Sequence, residues 1–119
     1  MQTIRTRIET ALFEIDPEDY KEVEVIMPNN AKTLTGVRIH VLAAKTSGLQ
    51  GEVVLSKDDE NASFINEYVY AKDSGNDLKR GFFETPINMR LKEEARIKIR
   101  AENFGYSPLK LAVLFLWRE

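Results

Sequence analysis

The stretch 95–102, ARIKIRAE, decides the fold class of this chain, because its apolar and charged residues alternate without a break. Arg96, Lys98 and Arg100 share one parity, and the two isoleucines share the other. Successive side chains of a β-strand point to opposite faces of a sheet, whereas a helix repeats its apolar residues every three or four positions. The stretch therefore predicts a β-strand with one buried face and one face in water.

A period of two recurs along most of the sequence. The segments that show it, or that are rich in strand-forming residues, are 4–8, 23–27, 37–41, 51–56, 64–70, 80–91 and 109–118. Pro86 has no amide hydrogen to donate, so we expect the segment 80–91 to be an edge strand or two pieces joined at a bend. The apolar parity of the first segment reverses near residues 9–12, where we expect a β-bulge.

Clusters of Asp, Asn, Gly and Pro separate these segments, as is typical of turns, and no helix longer than one turn is indicated. About eight short strands without intervening helices predict an all-β chain. We expect a single-domain antiparallel β-sandwich over residues 1–119, with a jelly-roll or other Greek-key topology. A chain of 119 residues is long enough for one domain with its own core.

The composition excludes several kinds of chemistry. The chain has no Cys and one His, His40, so disulfides, thiolate nucleophiles and sites with two imidazoles are excluded. It contains no glycine-rich phosphate loop, nucleophile elbow or zinc-protease motif. The formal net charge of −2 gives no general attraction for nucleic acid. We therefore expect a protein that is not an enzyme, carries no cofactor or structural metal, and has no nucleic-acid partner.

Two acidic loops leave calcium binding open. The segments 58–61 (DDEN) and 73–77 (DSGND) offer the oxygen ligands that Ca²⁺ takes, but neither follows the spacing of a calcium-binding hand. Turns are also rich in these residues for backbone reasons alone. Residues 1–7 lack the apolar run of a signal peptide, and no segment is long enough to span a membrane. We expect a location in the cytoplasm or in a virion.

The last segment is apolar on both faces. One parity holds the predicted core row, which is Leu109, Leu111, Val113, Phe115 and Trp117. The other parity carries Leu114 and Leu116, although the second face of a two-layer sandwich is normally wet. Either another part of the chain covers these two leucines or a second subunit does, and in the latter case they form an interface.

The charged and aromatic residues suggest two further binding surfaces. Arg96, Lys98 and Arg100 stand in one row, which is either a solvated sheet face or an electrostatic partner for the acidic N-terminal half of a neighbouring copy. A third interpretation is a phosphate-binding row, with Phe104 and Tyr106 nearby to stack on bases, and the acidic overall balance weighs against it. Tyr68 and Tyr70 share a parity with Phe64 and form either half of a core face or, with Tyr106, a platform that stacks on sugar rings.

Two hypotheses about function follow. The first is a non-enzymatic structural protein that self-associates or docks into a larger complex, such as a viral or phage virion component. Its interface would contain Leu114 and Leu116, with the basic row as a charged partner. The alternative is a monomeric module that binds carbohydrate or another ligand through Tyr68, Tyr70 and Tyr106.

Overall fold

Strands make up most of the protein in the computed structural model, which describes residues 7–45, 48–57, 63–71, 82–93 and 95–119. The eight strands are β1 (Arg7–Ile15), β2 (Tyr20–Ile26), β3 (Thr33–Ala43), β4 (Gly48–Lys57), β5 (Ser63–Ala71), β6 (Phe82–Arg90), β7 (Arg96–Asn103) and β8 (Leu109–Arg118). The prediction of an all-β chain with about eight strands is confirmed.

The strands form two four-stranded sheets, with the orders β1-β8-β3-β6 and β2-β7-β4-β5. Every pairing among the described strands is antiparallel. Successive strands cross from one sheet to the other, except that β4 and β5 are hydrogen-bonded neighbours. This order is that of an eight-stranded jelly roll, in which two Greek keys form the two layers.

The core lies between the inner faces of the two sheets. In β7 the side chains of Ile97, Ile99 and Ala101 are fully buried, whereas the charged residues between them face outward. The odd-numbered residues of β8, from Leu109 to Trp117, are buried in the same cluster. Full withdrawal of one such apolar side chain from water contributes about 1.5–3 kcal/mol, so these rows supply much of the free energy that holds the sheets together.

The edge position predicted for the proline-containing segment is confirmed. β6 is a single strand at the edge of its sheet, and Pro86 pairs with Gly36 of β3. The register of β3 shifts between Leu34 and Gly36, beside the point where the proline cannot donate a hydrogen bond. An edge strand tolerates this missing donor because one of its sides has no partner strand.

The bulge expected near residues 9–12 is absent, because β1 pairs with β8 in an unbroken register from Arg7 to Ile15. Phe13 and Ile15 lie opposite buried residues of β8 and are themselves buried. Leu12 lies on the opposite parity, with a side chain that is 65% exposed. Apolar residues therefore occupy both parities of β1, and this mixture mimicked a change of register in the sequence.

Gly51 allows β4 and β7 to approach closely. A Cβ atom at this position would lie 1.9 Å from the carbonyl oxygen of Glu102, which is too close for any real contact. At Gly36 the nearest atom, the carbonyl oxygen of Thr85, would lie at an ordinary distance of 3.5 Å. The lack of a side chain is therefore required at Gly51 and not at Gly36.

We expect Gly51→Ala to lower the free energy of unfolding by about 2 kcal/mol or more, because the backbone of β7 must shift to admit the methyl group. Gly36→Ala is the matched control and should change it by less than about 1 kcal/mol. Urea unfolding followed by circular dichroism measures both values. Equal destabilisation by the two substitutions would contradict the assigned role of Gly51.

Candidate functional site

The predicted interface residues lie on opposite sides of the sandwich. Leu114 and Leu116 are on the outer face of the β1-β8-β3-β6 sheet, at half-buried positions. Arg96, Lys98 and Arg100 are on the outer face of the β2-β7-β4-β5 sheet and are exposed. The two groups do not form one surface, so each face is described separately.

The first face carries three leucines, Leu12, Leu114 and Leu116, which we call the leucine patch. Leu12 pairs with Ala112 of β8 and therefore lies diagonally across from Leu114, within reach of its side chain. Leu116 lies beside Gly36, where its Cδ1 atom would be 3.7 Å from an added Cβ. In the described part of the chain, the strands that flank Leu114 and Leu116 are β1 and β3 of the same sheet.

The basic row on the second face is balanced by acidic residues of the same chain. Arg96 Nη1 donates a hydrogen bond to Glu24 Oε1 at 3.0 Å, and Arg100 Nη1 lies 3.8 Å from Glu22 Oε1. Lys98 lies directly opposite Glu24 in the register. These groups are about half exposed, so each pair is worth at most about 1 kcal/mol. A neighbouring copy that bound this row would have to compete with β2.

All four tyrosines of the chain lie at the surface. Tyr20, Tyr68 and Tyr70 are 52%, 54% and 55% exposed on the outer side of the second sheet, and Tyr106, between β7 and β8, is 88% exposed. Phe64, which shares the parity of Tyr68, is half-buried. The structure therefore places Tyr68 and Tyr70 on a wet face rather than in the core. Tyr106 and Tyr70 are at the same end of the sandwich, because the start of β4 pairs with the ends of both β5 and β7.

A single register row links two of these tyrosines through two carboxylates. Tyr20 of β2 lies opposite Glu102 of β7, Glu102 lies opposite Glu52 of β4, and Glu52 lies opposite Tyr68 of β5. We call these four residues the Tyr–Glu row. It crosses three strand spacings, or about 14 Å. Two like charges that are directly opposite each other on neighbouring strands destabilise a sheet. Arg100, two residues before Glu102 on β7 and diagonal to Glu52, offsets part of this repulsion.

The guanidinium group of Arg100 lies over the ring of Tyr20, with Cζ 4.4 Å from the ring centroid. This contact is within the range of a cation–π interaction, which is worth about 0.5–1 kcal/mol at an exposed site. It holds the ring of Tyr20 against the sheet and leaves the side chain 52% exposed. The first member of the Tyr–Glu row is therefore positioned by a neighbouring strand.

A buried asparagine organises the loops beside the Tyr–Glu row. The amide nitrogen of Asn103 donates to the carbonyl oxygens of Ile15, Asp16 and Ser107 at 3.1, 3.3 and 2.8 Å. Its side-chain oxygen accepts a hydrogen bond from the backbone amide of Gly105 at 2.9 Å. Asn103 is only 2% exposed, so it joins the ends of β1, β7 and β8 through bonds that water cannot replace.

Backbone hydrogen bonds complete this attachment. The amide of Glu18 donates to the carbonyl oxygen of Gly105 at 3.1 Å, and the amide of Phe104 donates to that of Gln50 at 2.9 Å. The segment between β7 and β8 is thus bonded both to the β1–β2 turn and to β4. Tyr106 is carried by a loop that is fixed at both of its ends.

Sequence reasoning named Leu114, Leu116, Tyr68, Tyr70 and Tyr106 as candidate contact residues, leaving a covered or core position open for the first four, and it missed four others. Leu12, Tyr20, Glu52 and Glu102 become relevant only through the pairing of strands that are distant in the sequence. No local pattern marks Leu12, Glu52 and Glu102, which are ordinary outward-facing strand residues. Tyr20 stands among exposed residues at the start of β2. His40 is half-buried on the outer parity of β3, as its sequence position indicated.

The two acidic loops that left calcium binding open, 58–61 and 73–77, lie outside the described residues. Elsewhere in the described ranges, no three acidic or histidine side chains are grouped so that they could hold a metal ion. No helix in these ranges is long and apolar enough to cross a membrane.

We expect Asn103→Ala to lower the free energy of unfolding by about 2–4 kcal/mol, because it leaves buried carbonyl groups without a donor. Asn66→Ala is the control, since Asn66 is exposed on β5, and it should change stability by less than about 0.5 kcal/mol. Chemical denaturation of both variants tests this difference. A wild-type midpoint for Asn103→Ala would show that the loop bonds contribute nothing to stability.

No protein-family model matches the sequence, and no curated protein matches it. Two solved structures share the fold along almost the whole chain. One is the mitogen derived from Yersinia pseudotuberculosis, with a TM-score of 0.57 and 7% identity over 95% of this chain and 86% of the mitogen. The other is a chain in the acidic stable capsid structure of Helicobacter pylori bacteriophage KHP30, with a TM-score of 0.58 and 12% identity over 98% of this chain and 94% of that one. At these identities the likeness is one of fold.

Proposed function

We propose that this chain is a non-enzymatic structural subunit that associates with copies of itself, as a component of a viral or phage particle. The observation that carries the proposal is the leucine patch on the outer face of the β1-β8-β3-β6 sheet. Leu12 is 65% exposed there, and Leu114 and Leu116 are half-buried beside it. β8, one of the two inner strands of this sheet, carries apolar residues on both faces, which is typical of a strand that is covered on both sides.

The size of this face suits an interface between subunits. The Cα atoms of the molecule extend over 47 × 32 × 18 Å, so the outer face of each sheet is broad compared with the thickness of the sandwich. A stable interface buries about 800 Å² on each partner, with an apolar centre and a polar rim. Lys110 and Glu14 pair with each other at one end of the leucine patch and would contribute to such a rim.

The apolar contact, rather than the basic row, would supply most of the association energy in this proposal. Arg96 and Arg100 already interact with Glu24 and Glu22 of the same chain. Their exchange for acidic residues of another copy would replace one exposed ion pair with another, at little gain. Among the described residues, Leu114 lies opposite Thr10 of β1 and Arg38 of β3 in the register, and neither of these has a large apolar side chain.

The fold is consistent with this role without deciding it. The similar chain in the bacteriophage capsid structure belongs to a particle, whereas the similar mitogen is described by a different activity. One fold carries many functions, so function has to be argued from a site. The similarity to the capsid chain supports a viral or phage particle as the assembly to which this protein would belong, and the leucine patch supports self-association.

We expect the wild-type chain to associate as its concentration rises, and the double variant Leu12→Ser with Leu114→Ser to remain monomeric. Size-exclusion chromatography with light scattering gives the mass of each. Leu49→Ser is the matched control, because Leu49 is 47% exposed in β4 of the other sheet. Circular dichroism checks that the variants fold. A wild-type chain that is monomeric at every concentration, or a double variant that still associates, would overturn the proposal.

The same association should resist salt. Raising the ionic strength to about 1 M shortens the Debye length to about 3 Å and weakens contacts between exposed charges. An interface formed by the leucine patch should keep its mass under these conditions or gain in strength. Dissociation at high salt would instead assign the contact to Arg96, Lys98 and Arg100.

A further inference from the structure

We propose that the outer face of the β2-β7-β4-β5 sheet binds a neutral oligosaccharide along the Tyr–Glu row, with Tyr70 extending the site toward the loops. This surface is on the opposite side of the sandwich from the leucine patch, so the inference is independent of the proposed assembly. It assigns a ligand class to residues on four strands that are brought together only by the register.

The distribution of the tyrosines is the first argument. None of the four is in the core, and three of them, Tyr20, Tyr68 and Tyr70, share one sheet face. Tyr68 and Tyr70 are two residues apart on β5, and their Cα atoms are therefore about 7 Å apart. Exposed, rigid aromatic side chains that are grouped on one surface mark a binding site, since each offers a large apolar ring and a hydroxyl group.

The two carboxylates of the row indicate which chemical groups a ligand would place beside the tyrosine rings. Glu52 and Glu102 are half-buried at the centre of the row, between Tyr20 on one edge strand and Tyr68 on the other. A carboxylate is a strong hydrogen-bond acceptor with no donor of its own, so it binds groups that donate. The hydroxyl groups of a sugar are such donors, and the apolar C–H face of the sugar ring packs on an aromatic ring.

The charges on this face favour a neutral ligand. The register places four glutamates and three cations on it, so the face carries a net charge close to −1. Phosphate groups of a nucleic acid would be repelled by Glu52 and Glu102. A basic peptide would meet Arg96, Lys98 and Arg100 beside the same row. The centres of protein interfaces are enriched in tyrosine and arginine but depleted of glutamate, so the two glutamates at the centre of the row favour a sugar over a second protein.

The shape of the site indicates an extended ligand. The row is about 14 Å long, which exceeds a single sugar ring, and it runs across the four strands of the sheet. Arg100 holds the ring of Tyr20 at one edge of the row, and the pairing of β5 with β4 sets the backbone position of Tyr68 at the other. At one end the loop that carries Tyr106 is attached to β4 and to the β1–β2 turn. A preformed surface of this kind loses little entropy when it binds.

The test is binding of the wild-type chain to an array of neutral and acidic oligosaccharides, followed by titration of the best neutral ligand with NMR. We expect chemical-shift changes to map to Tyr68, Tyr70, Glu52 and Glu102. Tyr68→Ala should weaken binding about tenfold, since one stacked ring contributes about 1.4 kcal/mol. Glu102→Gln, which keeps the shape but loses the charge, should weaken it as well.

Ile26→Ala is the matched control, because Ile26 is 57% exposed on the same face at the far end of β2. It should bind as the wild type does, and so should the double variant Leu12→Ser with Leu114→Ser. The absence of binding to every neutral oligosaccharide on the array would overturn the proposal. Chemical-shift changes confined to the leucine patch would also overturn it. Selective binding of an octalysine peptide would overturn it too, because this result would assign the Tyr–Glu row to a cationic partner.

Discussion

Burial of the inner side of β8 is the constraint on which the rest of the structure depends. Five large apolar side chains of this strand, at the odd positions from Leu109 to Trp117, are no more than 3% exposed. A row of this kind can be withdrawn from water only if a second sheet covers it, and the isoleucines of β7 belong to the same core. Because β8 sits between β1 and β3, its register also fixes the positions of its neighbours.

Once the core is fixed, the two outer faces differ in kind. The β1-β8-β3-β6 sheet presents the leucine patch, on β1 and β8. The other sheet presents tyrosines and glutamates beside the ion pairs of Arg96 and Arg100. An apolar patch gains by excluding water, which suits another copy of the chain. A mixed aromatic and acidic surface keeps its hydrogen-bonding groups in water until a ligand satisfies them. The proposed association and the proposed sugar site therefore use different physical interactions and do not compete for surface.

The loops at one end connect these surfaces to the stability of the fold. Asn103 bonds to the end of β1 and to the segment that precedes β8, and the backbone of Phe104 bonds to Gln50 of β4. At Gly51, the next residue, β4 and β7 approach so closely that an added Cβ atom would overlap the backbone of Glu102. The loop that carries Tyr106 is thus held by contacts that also join the ends of β1, β4 and β7.

From the sequence alone, the alternation of apolar and polar residues predicted the strands and most of their buried faces, because it acts within a few residues. Pro86 narrowed the segment 80–91 to an edge strand or two pieces joined at a bend. The sequence also indicated that Leu114 and Leu116 are covered either by another part of the chain or by a second subunit, and it left Tyr68 and Tyr70 open between a core face and a binding platform. Only the tertiary structure showed that β1 has no bulge and that Arg96 and Arg100 interact with Glu24 and Glu22. It alone aligned Tyr20 with Glu102, Glu52 and Tyr68. Those neighbours come from strands distant in the chain, and their register is set by the packing of the whole sandwich rather than by any local pattern.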